Sequence, residues 1–179
     1  MRNTHLDLSI IIPTLNAGRR IGETLRSLEE IGDVLQVETI VVDGGSADDT
    51  VGRARDAGAR VLSAPRGRGG QISAGAREAQ GRWLMFLHAD TTLEPFWSTT
   101  VTPFMKNKNN LLRAAYFTFA LDDASSAARR VEVLTNWRAR KFGLPYGDQG
   151  LLMSRTISES AGDCRVAMRL ASGGAAPSR

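Results

Sequence analysis

The chain has 179 residues, of which 42% are hydrophobic and 23% charged, the balance of one globular domain and not of a disordered or fibrous chain. No apolar run approaches a membrane span, the single Cys164 excludes an intrachain disulfide and a cysteine-rich zinc site, and residues 1–7 lack the apolar core of a signal peptide, so a cytoplasmic location is expected. The formal net charge of +4 is spread out except at Arg66 and Arg68 and in the run Arg138, Arg140, Lys141; a mildly basic surface of this kind can attract nucleic acid, anionic lipid or phosphorylated ligands, or simply be solvated.

Residues 8–12 read as a first strand that Pro13 ends, because proline has no N–H to donate. A turn at residues 16–18 leads to a helix with Ile21, Leu25 and Leu28 on one face. A second strand over residues 38–42 stops at Asp43, and Gly44-Gly45 allows a tight turn. Ser46 is placed to cap the next helix, with Asp49 three residues on as an approximate capping box, and Gly58 ends that helix. A short strand at 60–63, a Gly-rich loop at 65–70, a small-residue helix over about 71–79 and a strand at 83–87 complete a β-α-β-α-β-α-β order. That order implies a parallel sheet covered by helices.

The remainder is less regular. Residues 96–105 pattern as a helix disturbed near its end by Pro103, residues 113–121 as a strand, residues 124–141 as a helix with Asp122-Asp123 as its acidic cap, and residues 151–153 as a last strand. Residues 143–150 form a loop rich in turn residues. From residue 158 onward apolar anchors are few and aromatics absent, so residues 158–179 are expected to be a divergent, flexible tail behind a domain at 1–157.

Two acidic residues stand after apolar runs: Asp43 after Thr39-Ile40-Val41-Val42, and Asp90 after Trp83-Leu84-Met85-Phe86-Leu87-His88-Ala89. Ligands of open α/β sheets bind beyond the carboxyl ends of the strands, so both carboxylates belong to one rim. One suits a hydrogen bond from a ligand and the other a hard cation. Each could equally cap the turn that follows it. His88 reads first as structural, with support of the ion or ligation of Mn2+ as alternatives. Arg66-Gly67-Arg68-Gly69-Gly70 opens a helix whose free N–H groups suit an anion, and Arg68 and Gln71 are the residues expected to contact phosphate there. Its Gly67-x-Gly69 does not follow the first strand, which argues against a nicotinamide enzyme.

Four motifs in order carry a family resemblance. Ile11-Ile12-Pro13-Thr14-Leu15-Asn16, Val41-Val42-Asp43-Gly44-Gly45-Ser46 with Asp49-Thr50, Phe86-Leu87-His88-Ala89-Asp90-Thr91 and Tyr146-Gly147-Asp148-Gln149-Gly150 together resemble the family 2 glycosyltransferases, in a subgroup with His at the head of its Asp-x-Asp region. The resemblance implies an α/β fold of the GT-A type: a nucleotide-binding sheet, mostly parallel, with helices on both faces. It implies transfer of a sugar, with inversion, from a nucleotide diphosphate sugar. Pro13, Leu15 and Asn16 would line the nucleotide pocket, Asp43 would hydrogen-bond the base, typically uracil, and Asp90 would bind Mn2+ or Mg2+. Asp148 would face the acceptor side as the candidate catalytic residue.

An inverting transferase also needs a base for the acceptor proton. The family's acidic pair after the Gly-Asp-Gln motif has no counterpart, since beyond Arg155 only Glu159 and Asp163 are acidic and they are not adjacent. The leading reading is therefore a metal-dependent glycosyltransferase with a saccharide, lipid or small-molecule acceptor. It takes no nucleic-acid partner and leaves peripheral membrane contact open. The alternatives are a nucleotide-sugar-binding fragment without a base and, further off, a nucleotidyltransferase.

Overall fold

The computed structural model describes residues 6–29, 35–123, 125–142 and 150–160. Six strands form one sheet: β1 (Leu8–Thr14), β2 (Val37–Asp43), β3 (Arg60–Ser63), β4 (Trp83–Phe86), β5 (Ala114–Tyr116) and β6 (Leu151–Ser154). Their spatial order is β3-β2-β1-β4-β6-β5. β1 pairs in parallel with β2 and β4, and β2 with β3, whereas β6 runs antiparallel to both β4 and β5. The helices are α1 (Ile21–Leu28), α2 (Thr50–Asp56), α3 (Arg68–Glu78), α4 (Trp97–Lys106), α5 (Ser126–Phe142) and α6 (Arg155–Ser160).

The two-residue period of the strands divides the core into two layers. Leu8, Ile10 and Ile12 of β1, with Val41 and Met85, pack against Ile21, Leu25 and Leu28 of α1, Ala54 of α2 and Trp97 and Val101 of α4. Ile11, Ile40, Val42, Leu84 and Phe86 face the other way, onto Ile72 and Ala79 of α3. Helices thus cover both faces, as expected. Gly75 lets α3 lie close on the sheet: a Cβ there would come within 2.5 Å of Ile11 Cγ2 and 2.9 Å of Val42 Cγ2.

Several boundaries differ from the sequence reading. Pro13 does not end β1, which runs on to Thr14 in register with β2. The Ile11 carbonyl accepts the Leu87 N–H on the β4 side, and two residues on the proline nitrogen faces that same side, past the last β4 pair at Ile11 and Phe86. Its missing N–H therefore breaks no ladder bond. The helix expected from Ser46 begins only at Thr50, because Ser46 is engaged in the rim described below. α3 starts three residues earlier than expected, which brings Arg68 into its first turn. Pro103 lies inside α4 without ending it, β5 spans three residues only, and α6 continues past position 157 to Ser160.

Candidate functional site

β1 is flanked by β2 on one side and by β4 on the other, so the chain reverses its direction of travel across the sheet there. The crevice beyond these strand ends is where open α/β sheets take ligands. It holds a cavity of about 570 Å³, lined by Pro13 near the end of β1, Leu15 and Asn16 just beyond it, Arg68 and Gln71 of α3, and His88 and Asp90 after β4. Arg66 of the expected anion loop lines it too, as do Arg19, Arg20 and Asp48, to which the sequence reading gave no role in the pocket. Four guanidinium groups around one crevice make it attractive to a polyanion.

The loop after β1 is fastened to the loop after β2. Asn16, whose φ of 52° lies in the left-handed region, donates its N–H to Ser46 Oγ at 2.8 Å and accepts the Ala47 N–H on Oδ1 at 2.8 Å. The Ala17 N–H meets Thr50 Oγ1 at 2.8 Å, and the Gly18 N–H meets Asp48 Oδ2 at 2.9 Å. The other Asp48 oxygen accepts the Thr50 hydroxyl at 2.5 Å and the Thr50 N–H at 3.1 Å. The Thr50 hydroxyl above all, with the Gly18 and Thr50 N–H groups, outweighs desolvation and holds the Asp48 carboxyl below the ordinary carboxylate value. The sequence did carry a signal for this residue: Asp followed two positions later by Thr at a helix start is a side-chain-closed turn.

Asp43 sits at the same rim but outside the cavity lining, 5% exposed. One oxygen accepts the Gly45 and Ser46 N–H groups, both at 2.9 Å. The other accepts the Ser46 hydroxyl at 2.5 Å and, longer, the Thr14 hydroxyl at 3.4 Å. Burial pushes this carboxyl up, yet the Ser46 hydroxyl and the Ser46, Gly45 and Thr14 donors together hold it below its ordinary value. The carboxylate thereby closes the turn after β2, at the rim where the sequence reading expects it to hydrogen-bond a base.

Gln71 is also occupied. It is buried, and its amide nitrogen donates to the Thr14 and Val42 carbonyls, each at 2.7 Å, joining the ends of β1 and β2 beneath the cavity. An amide has two N–H donors, and both are used in these two bonds, while the residue also lines the cavity where the sequence reading expects it to contact phosphate. Arg68 stands exposed at the helix start beside the cavity. Asp148 lies outside the described residues.

Asp90 is half-exposed at the mouth of the cavity, and its carboxylate is bonded to Nδ1 of His88. Among the described residues no cluster of three or more His, Cys, Asp or Glu stands together. One carboxylate with an adjacent imidazole does not make the closed protein cage of a structural zinc. It does suit an ion of the Mg2+ or Mn2+ type, which completes its shell with water and phosphate oxygens.

The sequence pattern of Glycosyl transferase family 2 matches residues 9–165. The chain belongs to this family. Its sheet resembles that of the mannosyltransferase from Pyrobaculum calidifontis in complex with GDP-mannose and Mn2+, with a TM-score of 0.66 at 19% identity over 90% of this chain and 48% of that one. Glucosyl-3-phosphoglycerate synthase from Mycobacterium tuberculosis, in complex with Mn2+, uridine diphosphate and glucosyl-3-phosphoglycerate, gives a TM-score of 0.61 at 23% identity over 85% of this chain and 58% of that one. These likenesses establish the GT-A fold of this family 2 chain. In sequence, the chain is 45% identical over 56 residues to glucosyl-3-phosphoglycerate synthase of Mycolicibacterium paratuberculosis, covering 31% of this chain and 17% of that protein. It is 35% identical over 85 residues to 4,4'-diaponeurosporenoate glycosyltransferase of Staphylococcus aureus, covering 48% and 19%. The aligned part is under a fifth of the length of these curated relatives.

Proposed function

We propose that this chain binds a nucleotide diphosphate sugar, UDP-linked, in the rim cavity and transfers the sugar with inversion to an acceptor, in the presence of Mn2+ or Mg2+. The observation that carries the reading is one crevice that joins the β1 loop, the first turn of α3 and Asp90. Pro13 and Leu15 offer an apolar wall to the nucleoside, and Asn16 stands beside them in a backbone conformation fixed by its bonds to the β2 loop. Arg68, with Arg66 and the N-terminal N–H groups of α3, suits the diphosphate. Asp90 would hold the cation, with His88 fixing the carboxylate's orientation. When bound, such an ion offsets the charge that builds on the departing diphosphate.

Asp43 and Gln71 enter this reading as groups that hold the strand ends rigid beneath the nucleotide. Asp148 is kept as the candidate group on the acceptor side. The relatives' acceptors differ in kind, so the acceptor of this chain is left as a saccharide, lipid or small molecule. A reducing, cytoplasmic setting goes with the reading, in keeping with the single cysteine.

Calorimetry with UDP, GDP and their sugars, with and without Mn2+, is the test. Affinity for UDP and its sugars that rises with Mn2+ is expected. Absence of binding to any of them would overturn the proposal. Donor consumption in the presence of candidate acceptors then separates a transferase from a binding domain.

A further inference from the structure

The helix α5 presents its side chains in an inverted order. Among its described side chains, those it buries are small or polar: Ala128, Glu132, Thr135 and Ala139, spaced by four, three and four positions along one face. Beside its exposed basic side chains it also exposes large apolar ones. Val133 is 70% exposed, Leu134 64% and Trp137 49%. A surface helix of a globular domain normally does the reverse.

The same helix carries all of the chain's net positive charge. It holds five basic residues, Arg129, Arg130, Arg138, Arg140 and Lys141, against one acid, Glu132. The whole chain has 23 basic and 19 acidic residues, so 18 of each sign lie elsewhere and cancel. The single acid is turned inward, where it accepts the Leu121 N–H at 2.7 Å and an Arg129 N–H at 3.0 Å. Arg129 and Arg130 flank the same shallow groove as Val133, Leu134 and Trp137, and the Lys141 ammonium lies 5.1 Å over the Trp137 ring. Basic side chains bordering an apolar strip with a tryptophan are what an interfacial helix offers to a membrane: apolar groups for the acyl boundary and cations for the headgroups.

We propose that the exposed face of α5 docks on an anionic lipid surface. Charge complementarity selects this occupant. A second copy of the chain would bring one helix of net charge +4 against another, whereas an anionic bilayer neutralises both. Among the described residues no helix is long and apolar enough to cross a membrane, so the contact is peripheral. The proposal is independent of what the rim cavity binds.

Sedimentation of the full chain with vesicles tests this, using phosphatidylcholine alone and phosphatidylcholine mixed with phosphatidylglycerol. Trp83 and Trp97 are each 3% exposed, so a blue shift of tryptophan emission on binding reports Trp137. Binding confined to the anionic vesicles, weakened by salt and accompanied by that shift, is expected. Arg130→Glu should lower the partition at least about ten-fold, since each basic residue at an anionic surface is worth roughly five-fold. Leu134→Ser should abolish the blue shift. Circular dichroism and melting temperature unchanged in both variants would show that the fold is kept; if either variant fails to fold, quenching of Trp137 by lipid-borne bromine in the unaltered chain decides. Equal binding to neutral vesicles, or none to anionic ones, would overturn the proposal. So would a dimer in sedimentation that Leu134→Ser splits, because the face would then be a contact between copies.

Discussion

The Asp48 carboxylate accepts the Gly18 N–H at 2.9 Å and so ties the turn before α1 to the first turn of α2. Both segments wall the cavity, and neither has a regular ladder of its own to hold it. Asp48→Ala should therefore loosen the β1 loop and lower UDP affinity several-fold, with a smaller change in melting temperature. Asp48→Asn retains one acceptor oxygen and should fall between. Titration calorimetry on the three proteins checks the order, and an unchanged affinity in Asp48→Ala would mean that the loop is held by Asn16 and Ala17 alone.

Asp43 links the same rim to pH. Its folded value lies below the ordinary carboxylate value of about 3.9. The unfolded chain therefore takes up the proton first as pH falls. The stabilisation is fully present above the ordinary value and is lost as pH drops through the depressed one. Asp43→Asn should flatten that acid limb in a plot of urea midpoint against pH, leaving the parts that Asp48 and Glu132 contribute. Asp43→Ala should cost about 1.5–3 kcal/mol, the usual loss for hydrogen bonds to a charged group. Its affinities for UDP and for pyrophosphate should fall by the same factor, because the residue acts through the turn. A loss confined to UDP would return Asp43 to base recognition.

Asp90 and His88 should separate in their effects. Asp90→Ala is expected to abolish the Mn2+-dependent part of nucleotide binding without altering the circular dichroism spectrum. His88→Ala should keep the metal dependence with lower affinity, since the imidazole only steadies the carboxylate. Manganese titration followed by electron paramagnetic resonance distinguishes the two, and equal loss in both variants would make His88 a ligand.

Gly75→Ala tests the close approach of α3 to the sheet. Alanine gains roughly 1 kcal/mol of helix propensity over glycine. The added methyl would lie 2.5 Å from a side chain of β1, and overpacking of this kind costs about 1–3 kcal/mol. The two nearly offset at the low end, so a net destabilisation of up to ~2 kcal/mol is expected. Urea unfolding at unchanged m reads it.

The parallel half of the sheet was legible in the sequence because its strands are continuous apolar runs and its helices have one-sided apolar spacing, as in Ile21, Leu25 and Leu28. Rim position was legible too, since Asp43 and Asp90 end such runs. What each side chain does at the rim was not. Asp43 and Gln71 carry the right groups for a ligand, and the sequence did not show that the folded chain also gives them backbone partners, 57 and 29 positions away for Gln71. The start of α2 was misplaced for the same reason: Ser46 has good capping chemistry, and Asn16 and Asp43 use it. Strand β5 was overextended because the alternation of residues 113–121 continues beyond the three residues that find a partner.

The insertion of β6 between β4 and β5 fixes an order of events during synthesis. β1 to β4 are complete once residue 86 has left the ribosome, but the second neighbour of β4 is Leu151–Ser154, so Phe86 waits for Leu151. Until then the growing chain carries an open, wholly apolar edge strand, WLMF, of the kind that invites pairing with another chain. A nascent chain paused between these two points is the species of this protein most in need of a chaperone.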